Sequence, residues 1–158
     1  MRVILQKVNE SEKPILEGLL YTYFTELGDS AAIPDGSLDY PYLPSYWLDS
    51  NRTPLFILSE AQIAGSALLN DYIIIKAFNA QCAIAEFYIR PEFRRKGIGK
   101  SAAFQIFDRY GDSWEVKQLA ENETSTLFWR SVISDYTKGE FEEVNLNNQI
   151  IQLFRKHV

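Results

Sequence analysis

The hydrophobic positions along this chain switch between a period of two and a period of about 3.6 residues, and the order of these switches predicts an α+β protein. Alternating apolar residues and short apolar runs predict strands, whereas apolar residues three and four apart predict helices. The predicted elements, in chain order, are a strand over Met1–Val8, a helix from Asn9 to Gly28, a hairpin of Pro54–Ser59 and Gln62–Leu69, a short extension over Tyr72–Phe78, a strand over Cys82–Ile89, a helix beyond Gly99, a strand over Trp114–Ala120, a helix over Thr124–Ile133, and a terminal hairpin of Lys138–Val144 and Gln149–Phe154.

Several boundaries carry their own signals. Asn9 with Glu12 three residues later resembles a capping box, and Gly28 is a natural helix stop. Gly65 indicates a bulge in the first hairpin. The asparagines of the 145–148 segment predict the turn of the terminal hairpin.

The stretch from Cys82 to Tyr110 organises the rest of the chain. Cys82–Ile89 is apolar at every position but Glu86, which is typical of a strand buried on both faces. Pro91 lacks an amide proton and ends this strand. The apolar residues that follow recur at four-residue steps and predict one face of an amphipathic helix: Ile98, Ala102, Ile106 and Tyr110.

A basic, glycine-containing loop joins that strand to that helix. A helix start leaves four N–H groups without intrahelical partners and attracts anions, and glycine lets a phosphate approach those amides. The three cations of the loop add Coulombic attraction. The loop, which therefore predicts a phosphate or pyrophosphate site, consists of Arg94, Arg95, Lys96, Gly97, Ile98 and Gly99.

Two common phosphate-binding motifs fit this loop poorly. A P-loop needs a glycine where Arg94 stands, five residues before Gly99. A dinucleotide fingerprint is matched by Gly97, Gly99 and Ala102, with Glu121 roughly twenty residues further on. In that fold, however, the first glycine follows its strand almost directly, near the start of the nucleotide-binding unit. Here seven residues separate the strand from Gly97, and most of the chain precedes the motif.

The loop instead resembles the [QR]-x-x-G-x-[GA] signature of the GCN5-related N-acetyltransferase (GNAT) family, with Arg94, Gly97 and Gly99 in register. A second block, Asn122 to Arg130, resembles the N-x-x-A-x-x-[FL]-[YW] segment of the family's later coenzyme-binding helix. The resemblance implies a mixed α/β three-layer fold whose central, mostly antiparallel sheet is flanked by helices. It covers nearly the whole chain, in keeping with a single N-acetyltransferase domain over 1–158.

The resemblance also implies acetyl-CoA as the cosubstrate and a primary amine of a small molecule or peptide as the acceptor, which attacks the thioester directly. The backbone of Phe87, Tyr88 and Ile89 would pair with the pantetheine arm. The pyrophosphate would bind the loop and the start of its helix, and the later helix would also contact the coenzyme. The residues assigned to the coenzyme are Phe87, Tyr88, Ile89, Arg94, Arg95, Lys96, Gly97, Ile98, Gly99, Lys100, Ser101, Asn122 and Phe128.

Glu86 is the candidate general base or amine anchor, because a carboxylate in an apolar strand needs a partner or a shifted pKa. The alternative interpretation is that Glu86 is a structural carboxylate held by hydrogen bonds. The family's usual acid, a tyrosine seven residues after the capping asparagine, is replaced by Trp129. Tyr136 or a tyrosine of the 40–46 segment can substitute, or the thiolate leaves unassisted. A non-catalytic acyl-CoA-binding regulatory module is therefore the alternative function.

The irregular segment from Asp29 to Arg52 predicts a substrate-side loop with a short helix near Pro44–Asp49. Its aromatic residues alternate with aspartates, a composition that suits an ammonium group through cation–π contacts and ion pairing. Packing under a lid is the alternative. The candidate substrate-binding residues are Tyr40, Tyr42, Tyr46 and Trp47.

Composition narrows these options further. The 158 residues are 46% apolar, enough to bury one core, and the net charge of −5 argues against nucleic acid as a partner. No apolar run approaches the roughly 18 residues of a membrane span, so a soluble, cytoplasmic protein is expected. The single Cys82 excludes an internal disulfide and a cysteine-rich metal site, and His157 is expected to be solvated. A terminal hairpin with an exposed edge suggests a homodimer.

Overall fold

The computed structural model describes residues 2–156, so His157 lies outside the described part of the chain. Short 3₁₀ turns at Glu10–Glu12 and Pro91–Phe93 accompany the regular elements. These elements are β1 (Val3–Lys7), α1 (Lys13–Leu27), α2 (Ser45–Leu48), β2 (Thr53–Ser59), β3 (Gln62–Asn70), β4 (Cys82–Ile89), α3 (Ile98–Tyr110), β5 (Ser113–Leu119), α4 (Glu123–Thr137), β6 (Glu142–Leu146) and β7 (Gln149–Arg155).

The strands form a seven-stranded mixed sheet in the order β1-β2-β3-β4-β5-β7-β6. β1 pairs with β2, β5 with β7 and β6 with β7, all antiparallel. β4 and β5 pair in parallel through Cys82–Ile84 and Trp114–Val116. The mixed sheet with four helices confirms the predicted α+β fold class.

The chain forms two compact units. The first contains the described residues up to Leu68 together with Glu86–Ile98, and the second contains Leu69–Ala85 and the described residues from Gly99 onward. The assignment of 1–158 to one N-acetyltransferase domain stays a prediction. Within residues 2–156, no helix combines the length and the apolar character that crossing a membrane requires.

In the first unit, local signals set the element ends as the sequence predicts. The backbone N–H of Asn9 donates to the Glu12 carboxylate at 3.0 Å, which completes the capping box. α1 ends at Gly28, whose φ of 67° is left-handed. The hairpin of β2 and β3 turns at Glu60 and Ala61, with φ of 51° and 67°.

Gly65 has a more specific role than the predicted bulge. A Cβ built at this position in β3 would overlap the carbonyl oxygen of Tyr88 in β4. The two backbones therefore approach closely because residue 65 lacks a side chain.

In the second unit, the core gathers around buried aromatic rings. Phe107 of α3 lies 5.3 Å from Trp114 and 4.8 Å from Phe154, measured between ring centroids. Centroid separations in this range are typical of favourable aromatic packing. β5 and β7 supply Trp114 and Phe154, so the helix packs on this part of the sheet.

Two predicted elements of the second unit form, but their boundaries are wrong. The helix predicted over Thr124–Ile133 continues to Thr137, because its buried face persists and Lys138 caps it with a left-handed φ of 56°. The predicted strand over Lys138–Val144 therefore begins only at Glu142.

The predicted extension over Tyr72–Phe78 is not a strand. The N–H groups of Ile74 and Ile75 donate to the Glu115 carboxylate of β5, at 3.0 and 2.9 Å for the shorter contacts. The Glu115 carboxylate thus accepts the N–H groups that the carbonyls of a neighbouring strand would otherwise accept.

Candidate active site

Glu86 lies half-buried in β4 with two tyrosine hydroxyls on its carboxylate. The hydroxyl of Tyr40 donates to Glu86 Oε2 at 3.0 Å. The Tyr23 hydroxyl also hydrogen-bonds Glu86, and the Phe87 backbone N–H donates to the Tyr23 oxygen. Burial first, and then the negative charge of Glu86, raise the pKa of both tyrosines well above its ordinary value. Both phenols therefore stay protonated and keep donating to the carboxylate at neutral pH.

Aromatic packing holds these hydroxyls in place. The Tyr23 ring in α1 lies 5.0 Å from Phe24 and 5.6 Å from Tyr88. The Phe24 ring lies 5.7 Å from Tyr40. Tyr40 is thereby fixed between α1 and β4 although its own segment is irregular.

The four predicted substrate-binding residues have different environments. Tyr46 is buried and shares a hydrogen bond with Tyr40, which in turn donates to Glu86. Trp47 donates its indole N–H to the Val8 carbonyl at 2.8 Å and anchors the segment to the residue after β1. Tyr42 is 68% exposed.

A groove of about 220 Å³ lies beside Tyr40. It carries two carboxylates, from Glu17 and Asp39, and one ammonium, from Lys13. Its lining residues are Lys13, Glu17, Leu38, Asp39, Tyr40, Pro41, Leu43 and Pro44.

The predicted phosphate loop is exposed between residues 94 and 97, and α3 begins at the buried Ile98. Arg95 and Gly97 have left-handed φ values of 61° and 78°. The first amides of the helix that follows lack intrahelical partners and can donate to an anion. Exposed cations at Arg95 and Lys96 flank them. This donor set fits a pyrophosphate.

Arg94 differs from its neighbours because its guanidinium is directed back towards β4 and α1. Its Nε donates to the Ile89 carbonyl at 2.8 Å, and a terminal nitrogen donates to the Glu26 carboxylate at 2.7 Å. The guanidinium carbon lies 5.7 Å from the Tyr88 ring centroid.

Two further residues assigned to the coenzyme lie in the first turn of α3. Lys100 Nζ pairs with Asp135 at 2.8 Å, so part of its charge is already balanced. The Ser101 hydroxyl accepts from the Gln105 side-chain amide at 3.3 Å. The backbone amide of Lys100 belongs to the turn that lacks intrahelical partners.

Asn122 caps α4, since its side chain accepts from the Ser125 N–H at 3.2 Å. The Phe128 ring packs edge-on against Trp129, with centroids 5.0 Å apart. Trp129, at the position of the family's tyrosine, is only 4% exposed.

Tyr136 lies in an aromatic cluster of the second unit with Phe104 and Phe107. Its hydroxyl donates to Asp108 at 2.8 Å. Burial, followed by this hydrogen bond, raises the pKa of Tyr136 above its ordinary value. Its predicted role as a proton donor stays a prediction.

Sequence reasoning misses two residues of the site. Tyr23 belongs to the apolar stripe of α1, where its spacing is that of a core residue. Glu26 carries a weak signal, because a carboxylate in the last turn of a helix faces the negative end of the helix dipole and no basic residue accompanies it there.

Comparisons with known proteins place the fold and the family of the chain. A crystal structure of an acetyltransferase from Thermus thermophilus superposes with a TM-score of 0.74 at 13% identity, covering 98% of this chain and 97% of that one. The structure of yncA from Salmonella typhimurium with its cofactor acetyl-CoA gives a TM-score of 0.64 at 11% identity, over 100% and 97%. The ribosomal-protein-S18-alanine N-acetyltransferase from Escherichia coli gives 0.64 at 10% identity, over 99% and 96%.

These identities show a shared fold. A comparison with curated proteins found no match. The sequence model described as the Acetyltransferase (GNAT) family matches residues 19–131, which is more than half of the chain. The chain therefore belongs to the GNAT acetyltransferase family, whose coenzyme is acetyl-CoA.

Proposed function

We propose that this protein transfers the acetyl group of acetyl-CoA to a primary amine of a small molecule or peptide. The observation that carries this proposal is the carboxylate of Glu86, which accepts hydrogen bonds from Tyr40 and Tyr23. It lies in β4 directly before Phe87–Ile89, the residues expected to bind the pantetheine arm. An acceptor held at Glu86 would thus lie next to the coenzyme's reactive end.

Glu86 supplies what an amine acceptor needs. A free alkylammonium has a pKa of about 10.4 and must lose a proton before it can attack a thioester. Hydrogen bonds to a charged acceptor are stronger than those to a neutral one, so the two hydroxyls hold the carboxylate in a fixed position. That carboxylate can bind the ammonium and then take its proton, directly or through one water.

The chain's own groups also account for coenzyme binding. When bound, acetyl-CoA supplies an activated acetyl thioester. The loop amides with Arg95 and Lys96 would hold its pyrophosphate. Phe87–Ile89 lie beyond the residues of β4 that pair with β5, which are Cys82–Ile84.

The departure of the thiolate needs no protein acid in this proposal. A thiol has a pKa of about 8.5, whereas the pKa values of Tyr40 and Tyr136 are raised above the ordinary tyrosine value. Either phenol would be a weaker acid than the thiol that it protonates. Unassisted departure is therefore the better-supported route.

The surroundings of Tyr40 favour a cationic acceptor. The adjoining groove contains the carboxylates of Glu17 and Asp39 against the single ammonium of Lys13. The chain as a whole carries a net charge of −5. Both features attract an amine that is protonated at neutral pH.

The test measures release of coenzyme A thiol from acetyl-CoA across a panel of amines, with native protein and with Glu86→Gln. Removal of a general base lowers rates by about 10²- to 10⁴-fold, and we expect a loss of kcat/KM in this range with unchanged acetyl-CoA affinity. Equal activity of Glu86→Gln would refute the role of the carboxylate.

The panel also decides between enzyme and regulatory module. Trp129 is buried where the family's tyrosine acid is expected, so the chain lacks that acid and the non-catalytic alternative has to be tested. Tight acetyl-CoA binding with no thiol release for any amine would support an acyl-CoA-binding regulatory module instead.

A further inference from the structure

Glu26 occupies a position where a carboxylate is unfavourable without a partner. It lies in the last turn of α1, which has no basic residue of its own. The carbonyl groups exposed at a helix C-terminus repel negative charge. A residue elsewhere in the first unit must therefore balance the negative charge of Glu26.

That residue is Arg94, the first residue of the family signature in the phosphate loop. Arg94 donates to Glu26 Oε2 at 2.7 Å, and the Tyr88 hydroxyl donates to Glu26 Oε1 at 3.3 Å. A second nitrogen of Arg94 donates to the Ile89 carbonyl at 2.8 Å. The three side chains thus join the end of α1, the end of β4 and the start of the loop.

This contact is better suited to fixing geometry than to adding stability. The side chains of Arg94 and Glu26 are 44% and 36% exposed, and exposed ion pairs contribute little to folding. Two nitrogens of Arg94 are nevertheless fixed on two acceptors, which restricts both the side chain and the backbone that follows. The next residue, Arg95, enters its left-handed conformation directly after this anchor.

A binding loop held in its bound shape loses less conformational entropy when its ligand arrives. We propose that Glu26 is a positioning residue for the coenzyme, which holds the phosphate loop through Arg94 in the shape that accepts the pyrophosphate of acetyl-CoA. Glu26 does this without contacting the coenzyme. The inference rests on the proposed function only in that the loop binds acetyl-CoA.

The experiment is a calorimetric titration of acetyl-CoA into the full chain. Glu26→Gln retains the size of the side chain and removes its charge, and we expect Kd to rise roughly tenfold, the effect of one charge-assisted hydrogen bond. Steady-state assays should show the same rise in KM for acetyl-CoA with unchanged kcat. Thermal unfolding of the free protein should be nearly unchanged.

The matched control is Glu10→Gln, which removes one negative charge from an exposed residue before α1. Its Kd should equal that of the native protein. Glu26→Gln should have no effect in an Arg94→Gln background, because the carboxylate acts through Arg94. Arg94→Lys, which retains the charge but loses the two-nitrogen geometry, should weaken binding by itself.

Two results would overturn the inference. One is a Kd of Glu26→Gln equal to that of Glu10→Gln. The other is an equal rise in Kd when Glu26→Gln is made in the native protein and in the Arg94→Gln background. If Glu26→Gln does not fold, an unchanged Kd for acetyl-CoA in Arg94→Lys would also overturn the inference. Absence of acetyl-CoA binding by the native protein would instead refute the proposed function, so the two failures are distinguishable.

Discussion

A carboxylate within an apolar strand is unfavourable unless polar groups replace the water that it has lost. At Glu86 two of those groups are phenols, which donate one hydrogen bond each and remain protonated. A lysine or arginine would instead neutralise the carboxylate and leave little attraction for a substrate ammonium. A phenol, by contrast, donates to the carboxylate without adding a positive charge.

Tyr40→Phe removes one of these donors and retains the ring. Because the hydrogen bond to Glu86 is charge-assisted, its loss is expected to lower kcat/KM roughly tenfold, with unchanged KM for acetyl-CoA. Thiol-release kinetics would measure both. Tyr42→Phe is the control, because Tyr42 is 68% exposed and should tolerate the change. Equal rates for the two variants would show that the Tyr40 hydroxyl has no part in the reaction.

The candidate residues are predictable from sequence to unequal degrees. Glu86 is conspicuous as the one polar residue in an apolar strand. Tyr40 and Tyr46 are candidates by composition, but only the fold distinguishes them from Tyr42. Tyr40 and Tyr42 lie in one irregular segment, and Tyr46 lies in the short helix α2 that follows it. Tyr23 has the spacing of a core residue, and periodicity cannot reveal where a hydroxyl at the edge of a core is directed.

Strand packing depends on single positions in the first unit. β3 and β4 approach at Gly65 so closely that a methyl group would overlap the Tyr88 carbonyl oxygen. The neighbouring atom is backbone, so relief requires the strands to separate. The same backbone, Phe87–Ile89, is the one expected to bind the pantetheine arm.

Gly65→Ala should therefore destabilise the protein by about 1–3 kcal/mol, the usual cost of overpacking. Urea unfolding would measure this change. Gly18→Ala is the matched control, because a Cβ at Gly18 in α1 meets nothing within 4 Å. Removing a helical glycine should stabilise by roughly 0.5–1 kcal/mol. Equal midpoints for the two variants would contradict the close approach.

Glu115 fixes the loop between β3 and β4 in the second unit. It is 0% exposed, and its carboxylate accepts from the N–H groups of Ile74 and Ile75 and from Lys117. A strand prediction for that segment fails because nothing in the local sequence indicates an acceptor 40 residues away.

Glu115→Gln would place an amide NH₂ against these donors and is expected to cost about 3 kcal/mol, the effect of breaking a buried ionic contact. Amide exchange at Ile74 and Ile75 should accelerate more than elsewhere. Glu142→Gln on the exposed face of β6 serves as the control. Native exchange rates at both amides in Glu115→Gln would show that the carboxylate does not order the loop.

At the scale of the whole molecule, an acidic chain presents a cationic loop. The net charge is −5, while Arg95 and Lys96 lie exposed beside the start of α3. Binding of a polyanionic coenzyme should therefore depend on this one loop and weaken as salt screens its charges.

Titration of acetyl-CoA is expected to give micromolar affinity, a binding free energy of roughly −8 kcal/mol. Desulfo-coenzyme A should bind as well, whereas NADH and ATP should bind poorly. Gly97→Trp should abolish binding, because the indole would occupy the phosphate site. Gly139→Trp is the control for backbone strain, since Gly139 also has a positive φ, 82° against 78° for Gly97. Preference for NADH or ATP would show that the loop is misassigned.

The overall element order is largely predictable, because buried strands and amphipathic helices leave periodic patterns. The α+β class, the hairpin of β2 and β3, and the loop before α3 all follow from periodicity and local residues. The end of α4 does not, since Lys138 has no intrinsic preference for the left-handed cap that it adopts. Contacts between distant segments, such as Arg94 with Glu26, are visible in the fold alone.

The burial of Trp129 limits how this chain can be redesigned. A protein engineer who wished to install a proton donor would first try Trp129→Tyr, to restore the family motif. The side chain there is committed to the packed face of α4, where Phe107 and Phe128 adjoin it. A tyrosine at that position would have to fit the packing around α4. Its buried hydroxyl would also need a hydrogen-bond partner, and leaving it unsatisfied would cost about 1–3 kcal/mol.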